Sequence, residues 1–175
     1  EMAGADFFGR LDEMVRRRCL HEPLQYILRS WSFLDMTLVT RPGALIPRPE
    51  TEEVFMAAAK AIEESISAGR IPHNFRFADV GAGTGALGLA MARRFAQARG
   101  LLIDISESAL EVATENLSVY KELYKRTGVV RSNLLEAVQP ASLHVIISNP
   151  PYVNRGDIAA LMPEVSEYEP LLALD

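Results

Sequence analysis

The sequence contains one cysteine, Cys19, among 175 residues. An internal disulfide and a Cys-x-x-Cys metal pair are therefore excluded, and a reducing compartment is expected. Cys19 itself reads as a small inert apolar residue. Histidine is scarce as well. His21, His73 and His144 stand far apart with no ligand spacing, so no metal site is expected, and His144 reads as a strand residue. No apolar run reaches the length of a membrane span, so no membrane association is expected. No signal peptide is visible, but the chain opens on Glu1, which leaves a preceding segment open. There is no basic excess: the net charge is −5, too acidic for a strong nucleic-acid-gripping field. The dense run Arg16-Arg17-Arg18 reads as a solvated helix face. Repeats and low-complexity segments are missing too.

The rest is ordinary for a globular chain, with 49% hydrophobic and 23% charged residues, and is long enough for one domain with a core. Apolar residues from Phe7 to Leu28 recur at helical spacing, and Pro23 starts a new helical turn. Trp31-Ser32-Phe33-Leu34, a turn at Asp35-Met36 and Thr37-Leu38-Val39 read as a β-hairpin, with Trp31 as its packing anchor. Pro47 and Pro49 force an extended entry to a helix that carries Glu50, Glu52 and Glu53 in its first turn. From Arg76 onward, strands and helices alternate. Strands are expected at Phe77–Val80, Leu101–Ile103, Gly128–Val130 and His144–Ile147, with helices following the first two. That order predicts an α/β fold with an open, mostly parallel, Rossmann-like sheet.

Two segments carry chemistry. Gly81-Ala82-Gly83-Thr84-Gly85 lies between a strand and a helix, where α/β folds bind cofactors. The glycines let the backbone turn sharply and approach a ligand. A glycine triplet alone also fits an unoccupied strand-to-helix turn. Asp104, nineteen residues beyond Gly85 at a strand end, adds an acceptor for ribose hydroxyls. The spacing is G-x-G-x-G, not the G-x-G-x-x-G of dinucleotide sites. It favours S-adenosylmethionine, a nucleoside without a pyrophosphate. Asn133 is a candidate acceptor for the adenine amino group or a plain loop residue, and Leu134 follows it on the cofactor side.

The second segment is Asn149-Pro150-Pro151-Tyr152, after the apolar run Val145-Ile146-Ile147. The Asn149 side-chain oxygen and the Pro150 carbonyl can both accept hydrogen bonds from one planar amino group. Proline stiffens the turn, and the Tyr152 ring can stack on the flat group held there. Asn149, Pro150 and Tyr152 are the expected catalytic residues. Pro151, Arg48 and Pro49 join them on the substrate side, and Asn149 also borders the cofactor. This chemistry suits methyl transfer to an amide or an exocyclic amino nitrogen.

The motifs lie in a wider pattern: Pro23-Leu24-Gln25-Tyr26-Ile27-Leu28, Leu45-Ile46-Pro47-Arg48-Pro49-Glu50-Thr51-Glu52, Asp104-Ile105-Ser106 and Tyr168-Glu169-Pro170. Together they resemble the HemK/PrmC family, the protein-(glutamine-N5) methyltransferases that modify the GGQ-motif glutamine of peptide chain release factors. The resemblance implies a class I S-adenosylmethionine-dependent methyltransferase sheet joined by a β-hairpin to an N-terminal helical domain. Residues 1–28 would be part of that helical domain, 29–44 the hairpin linker and 45–175 the methyltransferase domain. The family's cofactor loop falls on Gly81 to Gly85, its ribose carboxylate on Asp104 and its glutamine turn on Asn149 to Tyr152.

This sequence departs from the family pattern in having Asn133-Leu134 where an Asp and an aromatic often stand, and Arg29 where a Gly often follows the Leu24–Leu28 segment. It also ends at Asp175, so the last strands of the sheet are expected to be missing and the chain to be a fragment whose fourth strand has a bare edge. The expected partner is a release factor. A monomer is expected, without direct nucleic-acid binding, in a bacterial cytoplasm or a mitochondrial matrix. Two alternatives stay open: an adenine-N6 or guanine-N2 methyltransferase acting on nucleic acid, and a non-catalytic remnant.

Overall fold

The computed structural model describes residues 2–175; Glu1, the first residue of the expected helical segment, lies outside the described residues. The elements in chain order are α1 (Met2–Cys19), α2 (Leu24–Leu28), β1 (Ser30–Phe33), β2 (Met36–Val39), α3 (Pro49–Ser67) and β3 (Arg76–Val80). Then follow α4 (Ala86–Arg94), β4 (Arg99–Asp104), α5 (Glu107–Val119), β5 (Thr127–Arg131), β6 (Val145–Ser148) and α6 (Pro163–Ser166). Short 3-10 turns at Arg155–Ala160 and Leu171–Ala173, with α6 between them, form a C-terminal segment for which the sequence pattern gave no expectation. Among the described residues, no helix is long and apolar enough to cross a membrane.

Pro23 separates α1 from α2 as expected, because its fixed φ of −54° suits a helix start and not a helix interior. The arginine run is paired as well as solvated. Arg16 meets Glu13, Arg17 meets Glu22, and Arg18 reaches Glu164 of α6 at 2.7 Å. Cys19 lies exposed at the end of α1. The hairpin turn falls at Leu34-Asp35, one residue before the expected place. Leu34 adopts a left-handed φ of 53°, and its N–H donates to Glu52 Oε1 at 2.9 Å. This anchoring from α3 sets the turn, which residue preference alone could not reveal. Trp31 is not the packing anchor: it is half-buried, while Phe33, Met36 and Leu38 of the hairpin enter the main core with Phe55, Phe77 and Leu102. Aromatic size suggested Trp31, but position along the strand decided the matter.

Four parallel strands form the main sheet in the order β5-β4-β3-β6. The alternation of a strand splits its side chains between two faces. Phe77 and Asp79 share one face with Leu102 and Ile147, under the helices, while Ala78, Val80 and Ile103 face the other way. Leu135, Val138 and Leu143, from the crossover between β5 and β6, cover part of that second face. Among the described residues β6 pairs only with β3, and Ile146 at its centre is 56% exposed. The chain steps from β3 to β4 and β5 on one side, then returns to β6 on the other. That reversal opens a crevice beyond the C-terminal ends of β3 and β6, where open α/β sheets bind ligands.

Gly100 of β4 lies under the Phe77 ring. A Cβ at this position would sit 2.2 Å from Phe77 Cζ. The ring is fully buried and cannot swing away. Gly100→Ala is therefore expected to cost about 1–3 kcal/mol by overpacking, read as a lower urea midpoint at an unchanged slope.

Candidate active site

The loop after β3 holds Gly81, Gly83 and Gly85 at φ of 71°, 56° and 82°, a left-handed region that favours glycine. The N–H groups of Gly81 and Ala82 both donate to the Ile103 carbonyl at 2.9 Å, which ties the loop to the end of β4. A Cβ on Gly81 or Gly83 would meet nothing within 4 Å, so these two backbones border open space. Gly85 differs: it caps α4, and a Cβ there would press on Leu102 at 3.2 Å. Asp104 closes the loop from the next strand. Its Oδ2 accepts the Gly83 N–H and its Oδ1 accepts the Ser106 N–H, both at 2.9 Å. Each oxygen keeps a further lone pair for a ligand hydroxyl.

Gly81, Gly83 and Asp104 line a cleft of about 330 Å³ together with Asn133, Leu134, Asn149 and Pro151. Asn133 donates through Nδ2 to Glu136 Oε1 at 2.7 Å, so its side-chain oxygen remains available. Leu134, at φ 49° and 67% exposed, offers an apolar rim. Asn149 follows β6, which Ser148 fastens to β3 by donating from Oγ to the Val80 carbonyl at 2.6 Å. The Asn149 carboxamide makes no hydrogen bond among the described residues, and it also borders a smaller hollow with Ala82, Thr84 and Asp79. A nucleoside with a short charged tail fits this set: two open glycine backbones, a carboxylate with spare acceptors and an apolar rim.

Other expected residues lie outside the cleft lining. Pro150 is exposed, and Tyr152 is 78% exposed beyond the turn, with its ring free. Pro49 starts α3. The Arg48 guanidinium is bound to Glu169 Oε1 at 2.5 Å and does not line the cleft.

Three buried polar residues escaped attention as site residues. Glu169 accepts from Arg48 and from the Ile46 N–H, joining two walls of the cleft, and burial raises its carboxyl against the opposing pull of Arg48. Its motif was visible, but its partners are remote in sequence. Asn116 bridges β2 and the glycine loop. Asp79, the last polar residue before the loop, is 1% exposed and accepts the Gly88 N–H at 2.8 Å. Burial pushes its carboxyl up to about 7, the Gly88 N–H opposes the shift, and the Asp104 charge adds to it.

The unfolded value is near 3.8, so the folded chain holds the extra proton between the two values. Stability should therefore fall as pH rises from about 4 to about 7, because the folded state binds more protons there. Asp79→Asn should flatten that part of the profile, measured by urea midpoints across the range.

Residues 58–165 match the methyltransferase small domain family. Among relatives, the release factor glutamine methyltransferase of Geobacter sulfurreducens is 35% identical over 162 residues, covering 93% of this chain and 53% of that protein. The protein of the same name from Thermosynechococcus vestitus is 39% identical over 168 residues, covering 94% and 55%. The mitochondrial MRF1 N(5)-glutamine methyltransferase MTQ1 of Saccharomyces cerevisiae is 35% identical, covering 93% and 54%. The chain thus spans about half the length of the curated relatives it matches. The glycine loop, Asp104 and Asn149 all fall within the matched span, and on that match the chain belongs to the methyltransferase small domain family.

Proposed function

We propose that this site binds S-adenosylmethionine and directs its methyl group to the side-chain amide nitrogen of a glutamine in a peptide chain release factor. The observation that carries the reading is the Asn149 carboxamide, without a partner among the described residues, in one cleft with the glycine loop and Asp104. The names of the relatives agree with it.

In this reading Asp104 accepts the ribose hydroxyls, and Gly81 to Gly85 give the cofactor a close backbone approach. Asn133 accepts from the adenine amino group while Leu134 covers the ring. When bound, the cofactor supplies a methyl group already activated on a sulfonium. The chain's own residues then have to position the acceptor, which is an entropic contribution. Asn149 Oδ1 and the Pro150 carbonyl accept the two amide N–H groups. These bonds favour a more pyramidal nitrogen and stabilise the positive charge that grows on it, as an oxyanion hole does for negative charge. Pro151 stiffens the turn, and the Tyr152 ring stacks on the amide plane. The substrate places the reaction where translation ends, in a bacterial cytoplasm or a mitochondrial matrix.

Tritiated methyl transfer from S-adenosylmethionine tests this, with release factor and undermethylated nucleic acid offered in parallel. Label on the release factor supports the reading. Label on nucleic acid alone would replace the substrate and keep the site. Absence of cofactor binding would sink both.

A further inference from the structure

Helix α5 is fastened along the outer edge of β2. At its end, the Tyr120 hydroxyl accepts the Thr37 N–H and donates to the Thr37 carbonyl, both at 2.9 Å. One turn earlier, Asn116 treats Val39 in the same way. Its Oδ1 accepts the Val39 N–H at 2.6 Å, and its Nδ2 donates to the Val39 carbonyl at 3.1 Å. Four helical residues advance about 6 Å and two strand residues about 6.6 Å, so the two side chains match alternate positions of the strand edge. The two contacts differ in one respect. The second Nδ2 hydrogen of Asn116 goes to the Thr84 carbonyl at 3.0 Å, inside the glycine loop. Among the described residues, Tyr120 makes no such bond. The same helix is capped at its start by Ser106, whose N–H donates to Asp104 Oδ1.

Asn116 is 0% exposed and uses both its donors and its oxygen. Few side chains can replace it. Aspartate would turn an oxygen towards two carbonyls, and an apolar residue would leave one N–H and two carbonyls without their partner. Glutamine would shift the carboxamide by one methylene away from these partners.

We propose that Asn116 is a positioning residue that locks the glycine loop to the β-hairpin, so that the two are seated as one unit and cofactor affinity depends on the hairpin. The proposal rests on the reading that this loop holds S-adenosylmethionine. It assigns Asn116 no contact with cofactor or substrate.

Tyr120→Phe is the matched control, because it also deletes two bonds to the β2 edge but none to the loop. Asn116→Ala, Asn116→Asp and Tyr120→Phe are compared with the parent in the full-length protein. Amide hydrogen exchange of residues 81–85 reads the loop directly, and cofactor titration reads affinity. Both Asn116 variants should speed exchange in the loop. Each should also raise the cofactor dissociation constant about tenfold, the effect of one to two lost hydrogen bonds, with the KM for release factor much less changed. Tyr120→Phe should speed exchange at 36–39 only and leave cofactor affinity within about twofold. If Tyr120→Phe and the Asn116 variants loosen the loop equally, or if the Asn116 variants leave its exchange unchanged, the coupling is wrong. Should the parent itself not bind the cofactor, the functional reading fails, while the exchange contrast still decides the coupling. Asn116→Ser, which keeps a small polar group, replaces either Asn116 variant that does not fold.

Discussion

With the site acting as proposed, Asn149→Ala should lower methyl transfer to a release factor by about 100- to 1,000-fold, the scale measured when one preorganised polar group is removed from a developing charge. The structure supplies the reason for so large an effect. The carboxamide has no partner among the described residues, so its removal disturbs no internal network, and the loss falls on the acceptor. Fixation of β6 to β3 through Ser148 and Val80 does not involve it. The fold should therefore survive, and cofactor binding should change much less than turnover. Single-turnover transfer, measured beside cofactor titration, separates the two. A variant that binds the cofactor and transfers at the parental rate would remove Asn149 from the chemistry.

Asp104→Ala should act on the other half of the reaction. Here the expected result is an increase of about 100-fold or more in the cofactor dissociation constant, since hydrogen bonds to charged groups contribute about 1.5–3 kcal/mol each. The carboxylate has two duties. It accepts the Gly83 and Ser106 N–H groups, which shapes the loop and the start of α5, and it presents its remaining lone pairs to the cleft. Asp104→Asn should be nearly as harmful despite its shape, because its amide N–H2 would face one of those backbone donors. Calorimetric titration with the cofactor, or with its demethylated product, checks both variants. Unchanged affinity in Asp104→Ala would move the ribose site elsewhere.

These residues could be found in the sequence because their geometry is local. Gly81 to Gly85 join a strand to a helix within five positions, and a backbone that needs positive φ announces itself by glycine. Asn149 follows directly from the apolar run of β6, and Asp104 ends a run of the same kind. The alternating strands and helices likewise predicted the parallel sheet. The surroundings of Arg48 were hidden for the opposite reason. Its guanidinium is held by Glu169, 121 positions away, and lies outside the cleft lining, a pairing that no local pattern shows. The hairpin anchor was not local either: Trp31 shares a strand face with Phe33, yet only Phe33 joins the main core.

Composition, periodicity and short motifs were thus sufficient by themselves for the α/β class, the glycine loop, the acidic strand end and the Asn149 turn that reaches the cleft. Each depends on neighbours in the chain. Only the tertiary structure decided that Asn116 joins Val39 to Thr84, that Glu169 ties Ile46 and Arg48, and that burial lifts the Asp79 carboxyl towards neutrality. A buried polar side chain is defined by the partners that satisfy it. Those partners come from distant segments, and their direction and depth exist only once the chain has packed.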